Sequence, residues 1–168
     1  TEYLRLLRSE SVIPEDAVFV SSIEDAVTYL NTVDGNILLT TGSKELGKFT
    51  TVRDFENRVY ARVLPMEESL HLCQEAGLKP AHILAMQGPF SVEMNVAMLK
   101  SVDAKFLVSK ESGLTGGMAE KVAAACTAGA KLVIIGRPPQ KQGISFAEMV
   151  ELLCSRFELV QKQQVAVV

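Results

Sequence analysis

Five short apolar, β-favouring runs each stop at a polar or proline-bearing turn, and a helical segment or loop follows each one. Ile37–Thr41 ends at Gly42-Ser43-Lys44. The run 58–64 alternates, with Val59, Ala61 and Val63 on one face, and meets Pro65. Ile83–Met86 stops at Gln87-Gly88-Pro89-Phe90, where Ser91 opens an apolar-rich helix over 92–99. Lys105–Val108 ends at Ser109-Lys110-Glu111-Ser112-Gly113, and Leu132–Ile135 ends at Gly136-Arg137. The runs recur about every 20 to 30 residues, close to the length of a βα unit. This rhythm predicts an α/β, Rossmann-like or flavodoxin-like three-layer domain, with a five-stranded parallel sheet covered on both faces. Taking the common strand order 2-1-3-4-5, the chain reverses between the first and third strands. The Gly42 and Gly88 turns then face each other over the carboxyl ends, where such sheets bind ligands.

Helix signals fit the same frame. Ser22-Ile23-Glu24-Asp25 resembles a capping box with Asp in place of Glu, and Ser145-Phe146-Ala147-Glu148 is a complete one. A helix after Pro65 places Met66, Leu70 and Cys73 on one face and is stopped by Gly77 and Pro80. The Ala-rich segment Met118–Ala128 is closed by Gly129. Residues 1–20 show no clean period, and Pro14 breaks any helix there. They read as a connection, leaving 21–168 as the α/β domain. An edge strand is expected around 157–161; the last residues, QKQQVAVV, carry no legible pattern.

The polar groups delivered to the sheet's carboxyl edge suit an anionic ligand. Gly42-Ser43-Lys44 offers backbone N–H groups, a hydroxyl and an ammonium, although the spacing is not that of a P-loop. Lys110, Glu111 and Ser112 stand in a row before Gly113, and Arg137 sits on a stiff turn suited to forking onto an anion. Each also has a plain alternative: a strand-to-helix turn with a solvated Lys, a Lys–Glu pair in water, a surface Arg. No nucleophile–base arrangement or metal-ligand spacing is evident. His71 in a helix and His82 at a strand's start read as structural, and Cys73, Cys126 and Cys154 as free thiols in helices. A net charge of −3, from 17 basic and 20 acidic residues, is a poor footprint for nucleic acid. No apolar run is long enough for a membrane span and no secretory signal stands at the start, so a cytoplasmic location is expected. A rim without an evident catalytic base fits hydride chemistry carried by a cofactor. It fits a non-enzymatic, flavodoxin-like anion-binding or docking module as well.

The segments ILLTTGSKEL (37–46), ILAMQGPFSVEMN (83–95), FLVSKESGLTGG (106–117) and VIIGRP (133–138) resemble the precorrin-6A reductase, or cobalt-precorrin-6A reductase, family of cobalamin biosynthesis. The resemblance covers about 20–140 in order. It implies NADPH-dependent reduction of a double bond in an anionic, carboxylate-rich tetrapyrrole. It places Gly42, Ser43, Lys44, Gly88, Pro89, Phe90 and Ser91 on the cofactor side. Lys110, Glu111, Ser112, Gly113 and Arg137 then contact cofactor or substrate. Family members begin with another α/β half bearing a turn similar to GGTxEGR, which this sequence lacks. The resemblance therefore implies a carboxyl-terminal half whose partner is the amino-terminal half of the same protein, and which alone does not turn over.

Overall fold

A computed structural model describes Leu4 and residues 14–111, 117–136 and 143–157. The chain forms two compact units, Ser11–Pro138 and the terminal segments Thr1–Glu10 with Pro139–Val168.

In the larger unit all the strand pairings are parallel. Its elements run β1 (Val18–Val20), α1 (Ile23–Leu30), β2 (Asn36–Leu39), a 3₁₀ turn (Leu46–Phe49), α2 (Phe55–Arg58), β3 (Val59–Val63), α3 (Glu67–Glu75), a second 3₁₀ turn (Pro80–His82), β4 (Ile83–Ala85), α4 (Val92–Ser101), β5 (Ala104–Lys110), α5 (Met118–Ala128) and β6 (Lys131–Ile135). The sheet order is β1-β6-β5-β2-β3-β4.

Two features of this order differ from the expectation. The sheet has six strands, because Val18–Val20, inside the supposed connection, pairs with Val133–Ile135 at one edge. Three residues after a proline carry too short a pattern for period-2 reading. The reversal also lies elsewhere: β2 is flanked by β3 and β5, so the crevice opens between the first and fourth of the expected strands. Ile83–Ala85 occupies the opposite edge beside β3, with none of its residues buried, as suits a short edge strand. The Gly42 and Gly88 turns are therefore separated by β3 instead of facing each other.

Successive side chains of the central strands alternate between two apolar layers. One contains Ile37, Leu39, Val59, Ala61, Val63, Phe106, Val108, Val133 and Ile135, against residues of α1, the first 3₁₀ turn and α3. The other contains Leu38, Leu107, Leu132 and Ile134, against Met98 and Leu99 of α4 and Met118, Ala124 and Ala125 of α5. α3 turns Ser69 and Cys73 inward and leaves Met66 and Leu70 exposed, a rotation from the expected face. His82 is buried, with Nδ1 2.9 Å from the Val59 carbonyl and its ring stacked on Tyr60 at 4.0 Å. His71 lies on the surface beside Glu75. Cys73 is buried, which raises its pKa, whereas Cys126 is exposed on α5.

Helix starts follow their caps. Ser22 Oγ accepts the Asp25 N–H at 3.0 Å, and Gly129, at φ +68°, ends α5. In the smaller unit, α6 (Phe146–Phe157) begins with the reciprocal pair: the Ser145 N–H donates to Glu148 Oε2 at 2.7 Å and the Glu148 N–H to Ser145 Oγ at 3.3 Å. Phe157 is helical, and 158–161 of the expected edge strand lie outside the described residues.

Candidate functional site

With every strand pointing the same way, the chain segments leaving β2, β3, β4, β5 and β6 emerge on one edge of the sheet. At the β2/β5 reversal, Gly42 turns the chain at φ +83°, a conformation that favours glycine, with open space where a Cβ would stand. Ser43 Oγ shares a hydrogen bond of 3.2 Å with Ser69, and Lys44 is exposed. Glu45 reaches across the crevice to form an ion pair with Lys110. Lys48 joins this group, 3.9 Å from Glu45 and 3.6 Å from Glu24. The Glu111 N–H continues the sheet by donating to the Ile135 carbonyl at 2.9 Å. Beside these residues lies a cavity of about 270 Å³, lined by Ser22 and Glu24 at the start of α1 and by Lys48, Lys110, Glu111 and Gly136. An added Cβ at Gly136 would stand 2.7 Å from the tip of the exposed Phe19 ring, which would have to turn aside.

The other face of the same edge holds a second cluster. Arg62, half-buried near the end of β3, donates from Nη1 to Asn95 Oδ1 at 2.7 Å, and its guanidinium lies 4.2 Å over the Phe90 ring. Asn95 is 3% exposed and its Nδ2 donates to the Ser91 carbonyl at 2.8 Å. Gly88 leaves room for this stack, since a Cβ there would approach the Phe90 ring to 3.1 Å. Ser91 Oγ accepts the Met94 N–H at 3.3 Å, and its hydrogen bond holds the Glu93 carboxyl below the usual range. From α5, Lys121 Nζ donates to Ser109 Oγ at 3.0 Å, with Lys121 8% and Ser109 1% exposed. Burial lowers the pKa of Lys121 to about 8, with the Arg62 charge adding to the fall and Glu120 opposing it. Burial also lowers that of Arg62 to about 10, so both groups are cationic at neutral pH.

The expected residues thus fall into two groups. Gly42, Ser43, Lys44, Lys110 and Glu111 meet at the reversal. Gly88, Pro89, Phe90 and Ser91 stand beyond β3, where Phe90 and Ser91 support Arg62 and start α4. Ser112, Gly113 and Arg137 lie outside the described residues. Sequence reading missed Arg62, Asn95, Ser109 and Lys121. Lys121 carried a signal: with Met118, Ala124 and Ala125 it falls on the apolar stripe of α5, where a cation has to reach a polar partner. Larger cavities lie off this edge. One, of about 490 Å³, adjoins Asp16, Cys126 and Lys131 at the amino end of β6; another, of about 500 Å³, adjoins Thr50, Asp54 and Asn57.

The family described as precorrin-6x reductase CbiJ/CobK matches residues 1–154. The chain belongs to this family. It is 40% identical over 142 residues to a cobalt-precorrin-6A reductase of Methanothermobacter thermautotrophicus, covering 82% of this chain and 46% of that protein. A cobalt-precorrin-6A reductase of Priestia megaterium is 35% identical over 154 residues, covering 90% of this chain and 60% of the relative. A solved structure of CobK precorrin-6A reductase superposes with a TM-score of 0.70 at 20% identity, over 91% of this chain and 61% of that one, and shows the same fold. The chain spans about half the length of the curated relatives it matches. A reductase family of this kind implies a reduced nicotinamide cofactor in general. No helix among the described residues is long and apolar enough to cross a membrane.

Proposed function

We propose that this chain carries the carboxyl-terminal α/β part of an NADPH-dependent reductase acting on a double bond of precorrin-6A or cobalt-precorrin-6A, in the cytoplasm. The observation that carries the reading is the β2/β5 reversal. It gathers Gly42, Ser43, Lys44, Lys110 and Glu111 at one crevice, in a chain of the reductase family. The second α/β half, joined through the segment ahead of β1, closes over this rim and completes the site.

In this reading the Gly42–Lys44 turn and the Gly88–Ser91 turn bind the cofactor. The turn amides and the Lys44 ammonium neutralise phosphate, and Ser43 Oγ, bonded to Ser69, presents its remaining lone pair or proton. Lys110, Glu111, Ser112, Gly113 and Arg137 orient cofactor or substrate. The Lys110–Glu45 pair keeps the ammonium at the crevice mouth until an anion competes for it. The reduced nicotinamide supplies hydride when bound. The chain's own work is to bind, align the acetate- and propionate-bearing macrocycle, and exclude water. Titration with NADPH, followed by nicotinamide fluorescence, tests the proposal. Saturable binding is expected when the amino-terminal half of a family member is supplied. Absence of binding in that mixture would leave the anion-binding or docking module as the reading.

A further inference from the structure

We propose that Arg62 is an oxyanion-binding residue of the ligand site, its guanidinium held ready to fork onto a carboxylate or phosphate of the bound molecule. The proposal rests on the reading of the carboxyl edge as the ligand site. A guanidinium taken partly out of water is normally compensated by a carboxylate. Among the described residues the partners of Arg62 are neutral: Asn95 Oδ1 at 2.7 Å, Met98 Sδ at 3.8 Å and the face of Phe90 at 4.2 Å. The nearby charge of Lys121 has the same sign. The Arg62 charge therefore stands at a rim position that an arriving anion would stabilise.

The mounting of Arg62 is preformed. Asn95 is buried and its amide nitrogen is committed to the Ser91 and Phe90 carbonyls at 2.8 and 3.4 Å, which leaves its oxygen for the guanidinium. Phe90 supports the flat face of the group from below. Only Nη1 is engaged among the described residues, so Nε and Nη2 keep the parallel donor geometry that matches two oxygens of one anion. A residue fixed by neutral contacts, with its fork unspent, is arranged for recognition; a purely structural arginine would spend the fork on the protein, as Arg58 does on four backbone carbonyls.

The test follows the Arg62 side-chain Nε–Hε resonance of the ¹⁵N-labelled chain, mixed with the unlabelled amino-terminal half of a family member, during titration with NADPH and, separately, with uroporphyrin as a carboxylate-rich tetrapyrrole. The resonance is expected to move with at least one probe. Arg62→Met is expected to weaken that probe's binding about tenfold or more, and Arg62→Lys to restore part of it, because charge returns without the fork. Response to NADPH alone identifies phosphate as the source, and response to uroporphyrin alone identifies carboxylate. Thermal midpoints of both variants close to the parent's confirm that folding is retained. If amides of Gly42, Ser43 and Glu111 move while Arg62 Nε–Hε stays fixed, the rim binds ligand without Arg62 and the inference is overturned. If neither probe moves any rim amide, the functional reading fails and takes this inference with it.

Discussion

Lys121 is a cation on the buried stripe of a helix, and its energetics set a pH dependence. Its folded pKa, about 8, lies below the ordinary 10.5, so the charged form is disfavoured by folding. Below pH 8 both states carry the proton, and the burial costs the native state about 3 kcal/mol. Between about pH 8 and 10.5 the native state releases the proton while the unfolded chain keeps it, so stability rises with pH. The stability of the parent relative to Lys121→Met is therefore expected to increase over that window, read by urea unfolding at several pH values; a flat difference would refute the assignment. Removing the neighbouring charge with Arg62→Met is expected to move the Lys121 pKa upward, measured by NMR of its side-chain carbons. Arg58 behaves differently. It is 8% exposed and donates to the carbonyls of Leu30, Val33, Gly35 and Arg53, so Arg58→Met is expected to cost about 3 kcal/mol in chemical unfolding. Of these three cations only Lys121 carries a sequence signal, its place on the apolar stripe of α5. An arginine at either end of an alternating strand reads as solvent-facing until its neighbours are known to cover both faces.

At the scale of elements the legibility was higher, because caps and periods are local. The Met118–Ala128 helix, the Ser145 capping box and the inward face of Val59, Ala61 and Val63 emerge as the sequence suggests. Ser22→Ala, which deletes the acceptor of the Asp25 N–H, is expected to lower stability by about 1 kcal/mol, measured as a shift in the urea midpoint. A shift near zero would mean that water replaces the hydroxyl without cost. Failures at this scale had non-local causes. Val18–Val20 is a strand only because β6 offers a free edge to pair with, and α3 rotates toward Cys73 because the first 3₁₀ turn and β3 lie on that side. Neither fact is contained in the segment's own period.

For the whole molecule, the parallel sheet was readable but its order was not. Periodicity reports how strands alternate with helices, not which edge each new strand joins. The apolar run at 83–86 reads as a central strand and proves to be an edge one, and that exchange moves the crevice from the Gly42/Gly88 pair to the Gly42/Lys110 pair. In the proposed function, ligand binds at this carboxyl edge. Mapping backbone amide shifts during NADPH titration of the chain, with the amino-terminal half of a family member present, tests it most directly. Shifts concentrated at 40–45, 88–91 and 109–111 are predicted; shifts confined to 50–57 or 126–132, beside the two larger cavities, would contradict it.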